Sequence, residues 1–119
     1  MTNELIFAHD AGHGWLRVPH TMLMQLKIDW AISEYSYVEP SPLGDLYWLE
    51  EDCDAPLFLE AYRAARHHLP WWTDRDDGAL SPIRSLPRNR QPVDVGHKAR
   101  VELTRHYEQQ ANSSSLVAA

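Results

Sequence analysis

The sequence predicts an α+β domain in which two β-hairpin–helix units (ββαββα) form an antiparallel sheet covered by helices. Two observations lead to this class. Short apolar or alternating segments occur in pairs separated by turn residues, which is typical of β-hairpins. After each pair, apolar residues recur at three- and four-residue spacing, which is typical of a helix packed on a sheet.

The first unit comprises two short apolar runs, residues 5–8 and 15–18, joined by the glycine-bearing turn 10–14. Pro19 should end the second strand, because it has no backbone N–H to donate to a sheet. Apolar spacing then predicts a short helix over residues 21–28.

The second unit has alternating residues over 34–39 and a returning strand over 46–50, joined by the proline- and glycine-containing turn 40–45. A helix should follow and extend to about residue 68. Its N-terminus should be capped by an aspartate side chain; the two candidates are Asp52 and Asp54.

The length of 119 residues favours one domain, which we divide into four parts. Residues 1–69 should form the compact ββαββα core. Residues 70–93 are rich in proline and should form an extended segment that lies on the domain or serves as a linker. Residues 94–110 should form a C-terminal helix, and the small polar tail 111–119 should be disordered.

Charge is distributed unevenly along the chain, whose formal net charge is −6. Residues 1–62 contain 11 acidic and 2 basic residues, whereas residues 63–119 contain 6 acidic and 9 basic residues. No Lys or Arg occurs between residues 28 and 62. Such an acidic block disfavours nucleic-acid binding and favours a basic protein surface as partner.

Composition excludes several protein classes. The single cysteine, Cys53, rules out an internal disulfide, and no apolar run approaches the ~20 residues of a membrane span. No signal peptide is visible at the start, so we expect a cytoplasmic protein. The sequence contains no phosphate-binding glycine loop and therefore gives no support for nucleotide binding. It contains no Gly-x-Ser-x-Gly elbow either and gives no support for serine catalysis.

The turn between the first two strands carries a candidate metal site. His9, Asp10 and His13 lie within five residues and offer imidazole and carboxylate ligands for a divalent cation. The alternative is a tight turn in which Asp10 bonds the local backbone and His13 is exposed at the tip. The spacing matches no established zinc motif.

Acidic and aromatic residues of the second hairpin form the candidate partner-binding site. Carboxylates would contact basic groups, and the aromatic side chains would serve as anchors. The predicted contact residues are Asp45, Tyr47, Trp48, Glu50, Glu51, Asp52 and Asp54. The alternatives are a solvated strand end before a helix N-terminus and an aromatic face packed on the helices. We expect the adjacent Trp71 and Trp72 to fold back onto the core rather than meet a partner.

The segment from His9 to Pro19, His-Asp-Ala-Gly-His-Gly-Trp-Leu-Arg-Val-Pro, together with Leu46 to Ala55, Leu-Tyr-Trp-Leu-Glu-Glu-Asp-Cys-Asp-Ala, resembles an uncharacterised domain family of phage genomes, plasmids and integrated elements. The likeness covers roughly residues 5–65 and extends to the Ser-Pro-Ile-Arg segment 81–84. The family brings no established activity. It implies the context of a mobile element, in which short acidic proteins often inhibit host defence nucleases.

We therefore expect a non-enzymatic inhibitor of the anti-CRISPR or anti-restriction type. It would act as a nucleic-acid mimic that blocks a basic groove of a host protein or ribonucleoprotein, without binding nucleic acid or membranes directly. We expect a monomer or small homodimer that needs no cofactor. The alternative functions are a metal-dependent enzyme centred on His9, Asp10 and His13, and a regulatory domain whose acidic face is merely solvated.

Overall fold

The computed structural model describes residues 4–90. A five-stranded sheet has the strand order β3-β4-β2-β1-β5. Its elements, in chain order, are β1 (Leu5–His9), β2 (Gly14–Pro19), α1 (His20–Gln25), β3 (Tyr37–Glu39), β4 (Leu46–Glu50), α2 (Asp54–Arg66) and β5 (Trp72–Asp76). Short 3₁₀ turns lie at Asp29–Ala31 and Pro82–Ser85.

The α+β class is confirmed, but the prediction of a purely antiparallel sheet is wrong. β2 pairs antiparallel with both β1 and β4, and β3 pairs antiparallel with β4. β5 instead pairs parallel with β1, with Leu5 opposite Trp72 and His9 opposite Asp76. The physical reason is the connection through α2: a helix can carry the chain across the sheet and return it in the same direction, which a tight turn cannot do.

One face of the sheet packs against the helices. Phe58 of α2 and Leu23 of α1 are fully buried there against Leu16 and Leu49 of the central strands. Trp15 and Trp48, which neighbour Leu16 and Leu49 in the chain, belong to a second buried cluster on the opposite face of the sheet. That face is covered by another part of the chain.

The segment after β5 covers that opposite face. Ile83 is buried with Trp15, Tyr37 and Trp48, and Leu86 packs on the same cluster. Backbone hydrogen bonds fasten this segment to β3, since the Val38 N–H donates to the Pro87 carbonyl at 2.8 Å. Within the described residues, the proline-rich segment predicted over 70–93 therefore contributes strand β5 and then lies on the domain.

The start of α2 differs from the predicted capping. Cys53 occupies the N-cap position, and no side chain caps the helix. Asp52 lies in the preceding turn, and the Asp54 carboxylate is fully buried, where its Oδ2 accepts hydrogen bonds from Ser33 and Ser36.

Two predicted parts, the helix over 94–110 and the tail 111–119, lie outside the described residues. Within residues 4–90, no helix is both long enough and apolar enough to span a membrane.

Candidate functional site

The turn between β1 and β2 meets the turn between β4 and α2 at one end of the sheet. The β2–β4 register places Trp15 opposite Glu50. The Glu51 N–H donates to the Gly14 carbonyl at 3.1 Å, which joins the two turns directly. A side chain at position 14 would press on Glu51, because a Cβ there would lie 3.0 Å from the Glu51 carboxylate. The same Cβ would lie 2.5 Å from the Phe7 ring, so it is chiefly the packing of β1 against this turn that requires glycine.

Asp10 organises the first turn. Its Oδ1 accepts hydrogen bonds from the backbone N–H groups of Gly12 and His13, each at 2.9 Å. Its Oδ2 accepts from the Ser81 N–H at 2.8 Å. Arg84 donates to both carboxylate oxygens, and this ion pair holds the pKa of Asp10 well below its usual range, with the three backbone donors lowering it further. Asp10 therefore anchors the turn to the segment after β5.

The structure does not bring His9, Asp10 and His13 together as a ligand set. The His9 ring stacks on Phe7, and both Asp10 oxygens are engaged by Arg84 and backbone amides. His13 lies at the exposed turn, where its Nδ1 is 4.0 Å from Glu51 Oε1. Within the described residues, the group of metal-ligating side chains at this turn consists of His13, Glu50 and Glu51.

The acidic turn, defined here as Glu50, Glu51 and Asp52, is the predicted partner-binding segment that reaches the surface at this end. Glu50 Oε2 accepts hydrogen bonds from the Asp52 and Cys53 N–H groups at 2.9 and 2.8 Å, so its carboxylate has a defined orientation. Asp52 is exposed. Among residues 4–90, no Lys or Arg forms an ion pair with any of these three carboxylates.

Two predicted contact residues lie at the opposite end of β4. Asp45 is exposed just before the strand, and Tyr47 is half-buried with its ring stacked on His20, the two centroids 5.3 Å apart. Burial raises the pKa of Tyr47, and the nearby Asp45 and Asp29 carboxylates raise it further. Asp45 and Tyr47 thus lie apart from the acidic turn.

Two further predicted contact residues are buried. Trp48 is 2% exposed, and its indole N–H donates to Glu39 Oε1 at 2.7 Å. Asp54 is fully buried, where its Oδ2 accepts from the Ser33 N–H at 3.1 Å and from the hydroxyls of Ser33 and Ser36. Asp54 thus ties α2 to the segment before β3, and neither side chain is presented to solvent.

A groove of about 310 Å³ opens beside the acidic turn. Two arginines of the segment after β5 stack on its aromatic residues. The Arg84 guanidinium lies 5.2 Å from the ring centroid of Trp15, and that of Arg88 lies 5.3 Å from that of Tyr37. The full lining is His13, Trp15, Tyr35, Tyr37, Glu50, Cys53, Arg84 and Arg88. The groove thus combines carboxylate, imidazole and guanidinium groups.

Sequence analysis did not predict the role of Arg84. Asp10 and Arg84 are 74 residues apart, so no local pattern links them. The expectation that both tryptophans fold back also fails for Trp71, which is 94% exposed. Trp71 precedes β5, whose first residue, Trp72, pairs with Leu5, so it lies at the opposite end of β1 from the acidic turn.

The chain matches no protein-family model, and no curated protein or solved structure is significantly similar to it.

Proposed function

We propose that the protein is a non-enzymatic binding protein of a phage or other mobile element, which uses its acidic turn to occupy a basic, nucleic-acid-binding groove of a host defence complex of the CRISPR or restriction type. The observation that carries the proposal is the state of Glu50, Glu51 and Asp52. Within the described residues these neighbouring carboxylates have no Lys or Arg partner. Uncompensated charge of one sign attracts a surface of the opposite sign.

Several arginines of the described chain already contact other side chains of the domain. Arg63 pairs with Glu60, Arg75 with Asp77, and Arg84 with Asp10. Arg88 stacks on Tyr37. Other carboxylates, such as Glu34, Asp45 and Asp74, likewise form no ion pair within residues 4–90. What distinguishes the acidic turn is that three such carboxylates are consecutive in the chain, which supports an intermolecular role for that turn.

Burial removes two residues, Trp48 and Asp54, from the predicted partner-binding site. Trp48 and Asp54 support the fold, because both side chains are engaged inside the domain. The proposed contact with the partner is the acidic turn. Asp45 and Tyr47 are not part of it, because they lie at the opposite end of β4. The resemblance to a family of mobile elements supports the proposed context.

The test is capture of a host complex by the full chain, followed by competition with heparin. A protein that occupies a nucleic-acid groove should be displaced by excess polyanion, and its binding should weaken as salt rises, because exposed charges are screened over about 10 Å at 0.1 M salt. The Glu51→Lys/Asp52→Lys variant should lose capture. The matched control Glu34→Lys/Asp74→Lys changes the net charge equally at two exposed carboxylates that do not line the groove.

Equal losses from both double variants would show that only net charge matters and would remove the acidic turn from the proposal. A captured complex that still binds its nucleic acid, and that resists heparin, would contradict the nucleic-acid-mimic mechanism.

A further inference from the structure

We infer that the junction of the two turns is a binding site for a divalent transition-metal ion, with His13, Glu50 and Glu51 as its protein ligands. One ligand atom from each of these side chains lies within 4.8 Å of the other two. The site shares Glu50 and Glu51 with the acidic turn, but its test below needs no partner. It also differs from the ligand set expected from the sequence, because only His13 is shared with it.

The three side chains come from two turns that the backbone holds together. The His13 N–H donates to Asp10 Oδ1, which fixes the first turn. The Glu51 N–H donates to the Gly14 carbonyl, which links the second turn to the first. Groups that orient metal ligands in this way tune metal sites in proteins generally. The fold therefore holds the backbone of the two turns together, and the side chains of the ligands complete the site.

One carboxylate oxygen of Glu50 accepts hydrogen bonds from the backbone, and the other accepts none within the described residues. Its Oε2 accepts the N–H groups of Asp52 and Cys53, and no hydrogen bond is formed by its Oε1 within the described residues. A carboxylate held by backbone donors through one oxygen can bind a cation through the other. Glu50 is thus oriented as a monodentate ligand.

Rotation of the side chains can bring the three ligand atoms closer to one another. Metal–nitrogen and metal–oxygen bonds of about 2.1 Å place neighbouring ligand atoms roughly 3–4 Å apart around an ion. The side chain of His13 is 52% exposed and that of Glu51 is 35% exposed, so both can turn toward a common centre.

Charge and ligand type identify the class of ion. Two carboxylates carry the −2 charge that balances a divalent cation, and no Lys or Arg within residues 4–90 forms an ion pair with either of them. An imidazole nitrogen with two carboxylates suits Zn²⁺ or Mn²⁺, whereas Mg²⁺ and Ca²⁺ prefer oxygen ligands alone. Zn²⁺ should bind more tightly than Mn²⁺, as the general affinity order requires.

Three protein ligands leave at least one coordination position of the ion open. His13 and Glu50 both line the groove of about 310 Å³, so an ion held by them would lie beside the groove. The stacked guanidiniums of Arg84 and Arg88 lie in the same groove. An anionic group bound to the ion would therefore meet positive charge nearby.

The experiment is calorimetric titration of the chelator-treated, tag-free full chain with ZnCl₂, MnCl₂ and MgCl₂ separately. We expect Zn²⁺ to bind more tightly than Mn²⁺, and Mg²⁺ to bind weakest. His13→Ala and Glu51→Gln should each weaken one Zn²⁺ site by at least about 10-fold, because even groups behind the ligands typically contribute 10–100-fold to metal affinity. Circular-dichroism melting of each variant checks that the fold is retained.

Control variants separate this site from the other histidines and acids of the chain. His68→Ala and Glu34→Gln remove an exposed imidazole and an exposed carboxylate outside the cluster, and both should bind Zn²⁺ like the parent. Amide NMR spectra should show Zn²⁺-induced shifts at the two turns. Absence of Zn²⁺ binding by the parent, equal binding by a folded His13→Ala/Glu51→Gln variant, or shifts confined to other regions would each overturn the site.

Discussion

Arg84 and Asp10 form a bidentate ion pair, in which Arg84 Nε lies 2.7 Å from Asp10 Oδ2 and Arg84 Nη2 lies 2.9 Å from Asp10 Oδ1. This pair joins the β1–β2 turn to the segment that covers the second face of the sheet. The Asp10 side chain is inaccessible to solvent, whereas that of Arg84 is about one-third exposed. The Arg84–Asp10 ion pair therefore helps to hold the segment after β5 on the domain. It also helps to give the first turn a defined shape.

The ion pair predicts a pH-dependent stability. The pKa of Asp10 is lowered in the folded protein, chiefly by Arg84, so the ionised carboxylate stabilises the fold above the ordinary Asp pKa of about 3.9. That contribution is lost as the pH falls below this value toward the lowered pKa. Asp10→Asn should therefore destabilise the protein at neutral pH, and the difference from the parent should narrow in acid. Urea unfolding at several pH values measures both effects.

Asp45→Asn is the control for this prediction, because Asp45 is exposed and forms no ion pair within the described residues. It should change the free energy of unfolding little at any of these pH values. An Asp10→Asn difference that stayed constant from neutral to acidic pH would show that the ion pair does not provide the stabilisation.

Two aspartates of the predicted contact set should behave differently on substitution. Asp54→Ala removes the acceptor for the Ser33 N–H and for two serine hydroxyls inside the domain. Leaving a buried donor unsatisfied costs about 1–3 kcal/mol, so the free energy of unfolding should fall by at least that amount. Asp52→Ala alters an exposed side chain and should stay within about 0.5 kcal/mol of the parent. Denaturant titration of both variants compares them, and equal losses would contradict the burial of Asp54.

Two tryptophans provide a second matched pair. Trp48→Ala should lower the free energy of unfolding by about 3–5 kcal/mol, because it empties a buried site between the sheet and its covering segment. Trp71→Ala removes a side chain that is 94% exposed and should change stability by no more than about 0.5 kcal/mol. Thermal and denaturant unfolding test this contrast, and a large loss from Trp71→Ala would show that Trp71 packs on the fold.

Gly14 should not tolerate a side chain. A Cβ at this position would lie 2.5 Å from the Phe7 ring and 3.0 Å from the Glu51 carboxylate. Gly14→Ala should therefore destabilise the protein by about 1–3 kcal/mol, the usual range for overpacking. It should also displace Glu51 and weaken Zn²⁺ binding.

Shortening the opposing ring tests the cause of this effect. Phe7→Leu removes the closest atoms, so the Phe7→Leu/Gly14→Ala variant should be more stable than additivity of the two single changes predicts. Strict additivity in urea unfolding would mean that the clash with Phe7 is not what excludes alanine.

Local sequence patterns determined the two hairpins, α2 and the acidic character of this protein, but not strand β5. Alternation and turn residues identified the strands around residues 5–18 and 37–50, and apolar spacing identified α2, because both periods are properties of adjacent residues. The run of acids without Lys or Arg was likewise evident directly. These features do not depend on which elements pair in space.

Tertiary structure alone decided the sheet direction and the composition of the site. β5 joined β1 in parallel, Arg84 reached Asp10 across 74 residues, and His13 came close to Glu50 and Glu51. The same fold buried Asp54, although its neighbour Asp52 is exposed. Local periodicity shows which face of an element is apolar. Which elements meet, and whether a carboxylate finds buried donors or water, depends on contacts between segments far apart in the chain.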